Sequence, residues 1–306
     1  MTTSSELDRR GVACGVGAHV IWGLFPAFWP LLDPASPIEV LAHRIVWTLV
    51  LMAAVLALVG GWRELRSLEA RGWAMVTAAA VLIAANWGLF IYGVAIGHVV
   101  EIALGYYIGP LVNVVLGVLV LRERPRLLQW VALGIATAAV VLISVGSGRV
   151  PWLGLALAAT FGTYGLIKKT VPLSSTASLT AEGVVLGLPA AALLVVLQVA
   201  GIGTLTGYGA GHVALLISAG PVTALPLLLY GAAARRIPLT TLGTLMYLTP
   251  TLQFLWGVLV VGEAMPPERW AGFGLVWVAL VVFTVDLVHS RRRRAEDEPV
   301  LAPELR

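Results

Sequence analysis

The stretch "LVLRERPRLLQW" at 119–130 decides the fold, because "LVVGEAMPPERW" at 259–270 repeats it 140 residues later. The residues that both copies share extend without a gap and are prolines, glycines, glutamates and tryptophans: Pro110/Pro250, Gly117/Gly257, Glu123/Glu263, Trp130/Trp270 and Gly134/Gly274. The arginines are not shared, since Arg122, Arg124 and Arg126 correspond to Gly262, Ala264 and Pro266. A repeat that keeps its packing residues and loses its arginines indicates that the two copies lie in different surroundings.

Composition places the chain in a membrane. Hydrophobic residues make up 59% of the 306 residues, charged residues make up 12%, and the mean hydropathy is +0.92. A soluble domain carries a charged fraction of about 25%, so too few charges are present to coat a soluble surface. The net charge of +4 lies at the ends of apolar segments, so we expect a lipid bilayer and no nucleic acid as a partner.

The sequence shows no residue pattern typical of a metal or cofactor site. The single cysteine, Cys14, excludes an internal disulfide and a cysteine-based zinc site. The five histidines show no metal-ligand spacing, and the sequence has no phosphate-binding glycine loop followed by lysine and serine or threonine. We therefore expect no metal, no cofactor and no direct use of ATP.

Apolar stretches long enough to span a bilayer follow each other along the chain. A helix needs about 20 apolar residues to cross a hydrocarbon core of roughly 30 Å. Ten stretches fit: 11–32, 37–59, 73–95, 99–121, 127–146, 151–167, 176–199, 212–233, 238–261 and 269–288. Residues 1–10 are polar, and the charged residues 289–306 are expected to form a disordered tail.

Basic residues predict the direction of insertion. With the N-terminus in the cytoplasm, the cytoplasmic segments hold 17 of the 20 lysines and arginines. Only Arg149 and Arg269 then lie outside, and Arg44 lies within a span. The excess of positive charge on cytoplasmic loops predicts that both termini are cytoplasmic, in the plasma (inner) membrane.

Orientation explains the missing arginines. The first copy links spans four and five on the cytoplasmic side, whereas the second links spans nine and ten on the outer side. Copies that are five spans apart must lie upside down relative to each other. We therefore predict an all-α integral membrane protein of ten transmembrane helices in two inverted five-helix repeats, 11–146 and 151–288. Such repeats are typical of secondary transporters that bind substrate near the midplane.

Four longer stretches resemble a known family. They are "GVGAHVIWGLFPAFWPLL" (15–32), "PIEVLAHRIVWTLVLM" (37–52), "NWGLFIYGVAIGHVVEIALGYYIGPLVNVVLGVLVLRERPRLLQW" (86–130) and "GPVTALPLLLYGAAARRIPLTTLGTLMYLTPTLQFL" (220–255). Together they resemble the RarD branch of the drug/metabolite transporter superfamily, which is built from EamA domains of five helices. The resemblance implies a permease of the inner membrane, and it favours efflux.

Polar and aromatic residues from several spans are predicted to meet between the midplane and the outer face. Depths along the helices, at about 1.5 Å per residue, bring these candidate substrate-binding residues to similar levels. They are Arg44, Asn86, Trp22, His19, His43, Tyr106, Tyr107 and Tyr247.

Each of the leading candidates has a structural alternative. Arg44 would neutralise an anionic or zwitterionic substrate, or it would reach the headgroups or pair with Glu39 or Glu101. Asn86 would bind substrate or bond a neighbouring helix.

Six further residues are candidates for proton coupling or gating. Glu39 and Glu101 are carboxylates in apolar segments, and Glu39 is one turn from His43. Pro110 and Pro250 are expected to kink spans four and nine, with Asn113 and Gln253 packing around them or gating.

The loop residues have simpler expected roles. Glu123 and Glu263 are expected to cap the helices that follow them, and Lys168 and Lys169 to be cytoplasmic anchors.

The function predicted from these observations is secondary transport of a small polar or amphipathic metabolite or drug by alternating access. The sequence leaves two alternatives, an intramembrane enzyme acting on a lipid or isoprenoid and a channel-like facilitator. It also leaves a homodimer open.

Overall fold

The protein is all-helical over the residues that its computed structural model describes, which are 8–122, 124–168, 171–237 and 239–297. Helix accounts for 83% of those residues, and no strand occurs among them. In chain order the α-helices are α1 Arg9–Gly23, α2 Phe25–Phe28, α3 Pro37–Val59, α4 Trp62–Arg66, α5 Ala70–Ala95, α6 Val99–Leu121, α7 Leu127–Ser147, α8 Trp152–Lys168, α9 Ser175–Val199, α10 Gly209–Ala234, α11 Leu239–Leu245, α12 Leu248–Trp256 and α13 Pro267–Asp297. A 3₁₀ turn at Trp29–Leu32 follows α2, and a π-helical turn at Gly257–Val261 follows α12.

Eight helical segments within the described residues are long and apolar enough to cross a bilayer. The count becomes nine if α1 and the α2–3₁₀ segment, which are bent by 46° relative to each other, form one span. Helix α8 has 17 residues and is about 25 Å long, slightly shorter than the hydrocarbon core. The prediction of an all-helical membrane protein is confirmed.

The first and ninth predicted spans are interrupted. Helix α1 ends at Gly23, and Pro26 stands in the first turn of α2, where a missing N–H loses no helical hydrogen bond. The ninth span breaks at Met246 and Tyr247, and Pro250 stands early in α12 for the same reason. Pro110, by contrast, lies inside α6, which is one helix from Val99 to Leu121.

The C-terminal helix is longer than expected. Helix α13 continues to Asp297, whereas the sequence predicted disorder from residue 289, and the continuous helix corrects that boundary. Glu123, Lys169 and residues 1–7 and 298–306 lie outside the described residues, so their predicted roles stay predictions.

Helices α3 and α9 are antiparallel, and hydrogen bonds join both of their ends. In the connection that follows α9, the Thr204 N–H donates to Glu39 Oε1 near the start of α3 (2.6 Å). At the start of α9, the Ser174 N–H donates to Glu64 Oε2, beyond the end of α3 (2.7 Å). Gly187 permits the close approach, since a Cβ there would lie 2.5 Å from Leu49 Cδ2.

The chain separates into two compact units, each drawing on both predicted repeats. The first contains the described residues of 1–106 and 152–264, and one apolar cluster in it includes Phe25, Trp29, Phe90 and Leu153. The second contains the described residues of 107–151 and 265–306, where α7 packs along α13.

In the second unit, one of the arginines that the sequence assigned to orientation also has a structural partner. The Arg126 guanidinium contacts Asp286 Oδ2 (2.6 Å from Nη2 and 2.9 Å from Nε), and Asp286 is buried. This ion pair joins the start of α7 to α13.

Candidate functional site

Arg44 lies in a cage of aromatic rings. Its guanidinium carbon is 4.0 Å from the centre of the Trp87 ring, 5.0 Å from that of Trp29 and 5.4 Å from that of Phe25. The residue is 3% exposed, so the charge is withdrawn from solvent. We call Arg44 and these three rings the Arg44 cage. The cage forms where the bend after α1 brings Phe25 and Trp29 against α3 and α5.

The Arg44 cage contains no carboxylate. No described acidic residue forms an ion pair with Arg44, and its Nε atom is buried without a hydrogen-bond partner in the described residues. The Tyr106 hydroxyl lies within electrostatic range of the guanidinium. Each ring attracts the cation by roughly 0.5–2 kcal/mol, which leaves much of the cost of burying a charge uncompensated. The cage is therefore suited to receive an anion.

A row of aromatic contacts leads from the cage towards α8. The ring centres are 6.2 Å apart for Phe25 and Phe90, 6.1 Å for Phe90 and Tyr106, and 6.3 Å for Tyr106 and Phe161. Phe161 in turn lies 6.2 Å from Tyr164. These rings form a continuous row of aromatic contacts in the first unit, in which Phe161 is exposed.

The row ends at a buried ion pair, which we call the Glu182 cluster. Glu182 is 2% exposed, pairs with the Lys168 ammonium, and accepts hydrogen bonds from the Tyr164 hydroxyl (3.2 Å) and the Ser178 hydroxyl (3.2 Å). Lys168 also lies 2.5 Å from Ser178 Oγ, and its side chain is 24% exposed. Lys168 was expected to be an ordinary cytoplasmic anchor; its ammonium has a structural partner in this buried carboxylate, and its position on the cytoplasmic side stays a prediction.

A crevice within the first unit lies between the cage and the cluster. Its lining comes from α3, α5 and α9: Ile45, Thr48, Ile83, Trp87, Leu179, Glu182, Gly183 and Leu186. Its lining therefore includes Trp87 of the Arg44 cage and Glu182 of the Glu182 cluster. Thr48 Oγ1 is buried there without a hydrogen-bond partner in the described residues.

His19 and Trp22 form a second aromatic group together with Tyr230 from α10. The ring centre of His19 lies 5.2 Å from that of Trp22 and 5.9 Å from that of Tyr230. The Thr249 hydroxyl donates its hydrogen to the His19 carbonyl (3.1 Å). The hydroxyl oxygen therefore accepts a hydrogen bond from His19 Nδ1 (3.0 Å). In a neutral imidazole this leaves Nε2 as a hydrogen-bond acceptor. Gln253 Nε2 donates to the Trp22 carbonyl (3.2 Å). Neither His19 Nε2 nor Gln253 Oε1 has a partner in the described residues.

Asn86 is held by a neighbouring helix. Its Nδ2 donates to the Leu157 carbonyl and to Thr160 Oγ1 of α8, both at 3.0 Å. Both amide hydrogens are therefore used, which favours the packing role that the sequence had left open.

Two of the acidic residues cap helices. Glu101 Oε1 accepts from the Leu153 N–H at the start of α8 (2.9 Å), and its Oε2 lies 3.5 Å from His98 Nδ1. Glu263 Oε1 accepts from the Val100 N–H at the start of α6 (2.8 Å). Glu263 was expected to cap the helix that follows it; its carboxylate also reaches the start of α6, and the expected cap stays a prediction.

The remaining predicted site residues lie in different surroundings. Tyr107 belongs to the second unit, where its ring packs on Phe273 and Trp277. Asn113 is exposed, and Tyr247 lies at the break before α12. Glu39 and His43 lie at the start of α3, with Glu39 Oε1 4.0 Å from His43 Nε2.

Sequence reasoning named Trp87 as a possible pore-lining residue but missed Phe25 and Trp29 beside Arg44, the Glu182 cluster, Tyr230 and His212. Phe25 and Trp29 belong to a span that looks uniformly apolar, so nothing in their spacing marks them. Glu182 offered a signal, because an acidic residue inside a long apolar segment is costly and is usually paired.

Comparisons with known proteins agree with the all-helical membrane fold. Residues 9–145 match the EamA-like transporter family. The chain is 48% identical to "Protein RarD" of Streptomyces exfoliatus, covering 97% of this chain and 95% of that protein. It is 42% identical to an uncharacterized transporter of Pseudomonas aeruginosa (93% and 96% covered) and 36% identical to "Protein RarD" of Escherichia coli (95% and 99% covered).

One solved crystal structure aligns over 90% of this chain and 97% of its own. Its TM-score is 0.59 at 14% identity, so this likeness concerns the fold alone. The sequence relatives, which extend over nearly the whole chain, show more: the chain belongs to the EamA-like transporter family of the drug/metabolite transporter superfamily, as a RarD-like permease.

Proposed function

We propose that the protein is a secondary transporter of the plasma membrane that binds the anionic group of a small polar or amphipathic solute at Arg44. It would move this solute by alternating access between two inverted five-helix repeats, 11–146 and 151–288, with both termini in the cytoplasm. The observation that carries the proposal is the buried guanidinium of the Arg44 cage, which has aromatic rings but no described carboxylate beside it.

The helices support a count of ten spans. Eight qualify by length and composition, the bent α1–α2 segment adds one, and the 17-residue α8 adds the tenth. Helices α3 and α9 would be the second spans of the two repeats, and inverted repeats require these two to run in opposite directions. The hydrogen bonds at their ends agree with that requirement.

Charge and shape support an anionic group on the substrate. A planar guanidinium can bind a carboxylate through two parallel hydrogen bonds while its faces stack on aromatic rings. The neighbouring rings of Phe90 and Tyr106 would contact an apolar or aromatic body. The substrate class is therefore a small organic anion with an apolar body.

The second aromatic group suggests a further feature of the substrate. His19 Nε2 and Gln253 Oε1 are both buried acceptors without a described partner. They would accept hydrogen bonds from a hydroxyl or amino group, since buried acceptors are normally satisfied.

Counterflow in proteoliposomes tests the proposal. Radiolabelled monocarboxylates with aromatic and aliphatic bodies would each be compared with the neutral amide of the same body. We expect counterflow of carboxylates only, and a fall of roughly a hundredfold in Arg44→Gln, because removing one partner of a buried charge pair costs about 2–5 kcal/mol.

The control is Arg149→Gln, which removes an exposed arginine and should transport as the wild type does. Equal transport of amides and carboxylates, or undiminished transport by Arg44→Gln, would overturn the assignment of Arg44.

A further inference from the structure

A second buried polar group lies at the start of α3 and includes three titratable side chains. Glu39 and His43 come from α3, and His212 comes from the first turn of α10; these residues are 1%, 1% and 8% exposed. Thr204, in the connection between α9 and α10, stands between Glu39 and His212. All four residues belong to the first compact unit.

A single hydroxyl joins Glu39 to His212. Thr204 Oγ1 lies 3.1 Å from Glu39 Oε1 and 2.8 Å from His212 Nε2. A threonine hydroxyl has one hydrogen to donate and accepts through its lone pairs. If the hydroxyl donates to an ionised Glu39, it accepts from His212 Nε2–H. If Glu39 is protonated on Oε1 and donates to the hydroxyl, the hydroxyl donates to His212 Nε2. The same positions of the heavy atoms therefore fit both proton distributions.

From this geometry we propose that His212, Thr204 and Glu39 form a proton relay that loads the transporter with its coupling proton, an inference that rests on the proposed transport function. A proton from water binds His212 Nδ1, the Nε2 hydrogen passes to Thr204 Oγ1, and the hydroxyl hydrogen passes to Glu39 Oε1. One proton enters, Glu39 becomes neutral, and His212 is left in its other neutral tautomer. No other reactant is required.

The exposure of the residues indicates the direction of the relay. Tyr208, one turn before His212, is 55% exposed, and its ring lies 5.5 Å from that of His212. Glu39 lies at the other end and is buried, and its Oε2 has no described partner. The proton therefore travels from the histidine beside the exposed Tyr208 to the carboxylate.

His43, the other titratable neighbour of Glu39, does not form an alternative hydrogen-bonded pair with it. His43 Nδ1 accepts from Trp47 Nε1–H (3.2 Å), so a neutral His43 carries its hydrogen on Nε2, 4.0 Å from Glu39 Oε1. The titratable groups that face Glu39 in the described residues are thus His43 from α3 and His212 from α10. Of the charged residues nearby in sequence, Asp33 is exposed and Arg44 belongs to the Arg44 cage.

Protonation of Glu39 would weaken a hydrogen bond that Glu39 accepts from the backbone. Glu39 Oε1 also accepts from the Thr204 N–H at 2.6 Å and so holds the α9–α10 connection against the start of α3. A carboxylate accepts such a bond about twice as strongly as a neutral oxygen does. Neutralising Glu39 therefore loosens the contact between α3, which carries Arg44, and this connection.

Infrared difference spectroscopy of the full chain in proteoliposomes tests the relay without any substrate. Lowering the pH should produce a protonated-carboxyl band that is absent in Glu39→Gln, an isosteric change that cannot take up a proton. After a pH jump the band should appear roughly a hundredfold more slowly in Thr204→Val, because a positioned transfer group is lost, but at nearly the normal rate in Thr204→Ser. Glu101→Gln, which alters another buried glutamate that accepts a backbone N–H, should leave the band in place.

Two results would overturn the relay: a band that persists in Glu39→Gln, or a band that rises in Thr204→Val as fast as in the wild type. Because neither measurement involves Arg44 or a transported solute, failure of anion counterflow and failure of the relay are separable.

Once counterflow has identified a substrate, its accumulation driven by a pH gradient should fall about tenfold or more in Glu39→Gln and in Thr204→Val but not in Thr204→Ser. Accumulation driven equally well by a sodium gradient would also contradict a proton as the coupling ion.

Discussion

Arg44 and Glu182 occupy the same position in two antiparallel helices, but only Glu182 has a counter-ion in the described protein. Arg44 is the eighth residue of α3, and Glu182 is the eighth residue of α9. Glu182 pairs with Lys168 and accepts hydrogen bonds from Tyr164 and Ser178. Arg44 is surrounded by rings instead. The comparison teaches that the fold neutralises one buried charge and not the other, and the proposed function assigns the second charge to the anionic group of a solute.

The proposed inverted topology gives this difference a meaning. It would place the two residues at equal depths, about 10 Å from opposite ends of the bundle. The Glu182 cluster would then hold α8 to α9 through the protein's own charges. The Arg44 cage would reach the same degree of neutralisation only when an anion is bound, and this dependence is what alternating access to a solute requires.

The largest expected effect comes from giving Arg44 a counter-ion of its own. Trp87→Glu places a carboxylate where the nearest ring now stacks, 4.0 Å from the guanidinium carbon. An internal carboxylate would compete with the solute, so we expect anion counterflow to fall about a hundredfold. Trp87→Gln has the same length without the charge and should lose about tenfold, through the lost stacking alone. Equal losses in the two variants would show that the charge of Arg44 is not what binds the solute.

The next effect concerns the paired charge. Glu182→Gln leaves the Lys168 ammonium without its carboxylate, and we expect the free energy of unfolding to fall by about 2 kcal/mol. This is less than the roughly 3–5 kcal/mol typical of a fully buried pair, because the Lys168 side chain is 24% exposed. Thermal unfolding of the purified protein in detergent measures the loss. The double variant Lys168→Met with Glu182→Leu should recover most of it, and no recovery would mean that packing rather than charge is responsible.

A smaller effect is expected when the unpaired charge is removed. Arg44→Met loses the stacking energy but also relieves the burial of an uncompensated charge, so the free energy of unfolding should change by no more than about 1 kcal/mol. The same thermal unfolding experiment applies. A loss as large as that of Glu182→Gln would indicate that Arg44 has a counter-ion within the protein and would remove the contrast.

The smallest effect is expected for a charge at the surface. The Gly11 N–H holds the pKa of the Asp8 carboxyl below its ordinary value, and Arg236, with Nη1 3.4 Å from Asp8 Oδ2, acts in the same direction. A lowered carboxyl pKa contributes stability that is present above the ordinary value of 3.8 and is lost as the pH falls through the folded-state value. Asp8→Asn keeps the cap of α1 but not the charge. Its thermal midpoint should lie slightly below that of the wild type at neutral pH and should meet it in acid; a difference that persists in acid would assign the effect to the cap.

The sequence was most informative where a property depends on one helix at a time. The apolar lengths predicted an all-helical membrane protein, which is confirmed, and the resemblance to RarD-like permeases is confirmed by the relatives. Ten spans and an inverted repeat stay predictions, since α8 is short and the first span is bent. The predicted site residues also stay predictions, although the structure brings Arg44 together with Tyr106, and His19 with Trp22.

What the sequence could not supply was the partner of each polar residue. Lys168 looked like an anchor because it follows an apolar run, yet it reaches Glu182 on the next helix. His212 carried no signal, and only the return of the chain through Thr204 brings it to Glu39. Such contacts join residues that are far apart in sequence, so their spacing contains no information about them.

The sequence by itself determined that this chain is inserted in a bilayer, because burial of apolar side chains in lipid depends on the composition of each segment and on nothing distant. Tertiary structure alone decided which charges are paired. Helix packing assigned a lysine to Glu182 and three aromatic rings to Arg44. In a low-dielectric interior the cost of a charge depends on the atoms within a few ångströms of it, and only the folded chain determines those atoms.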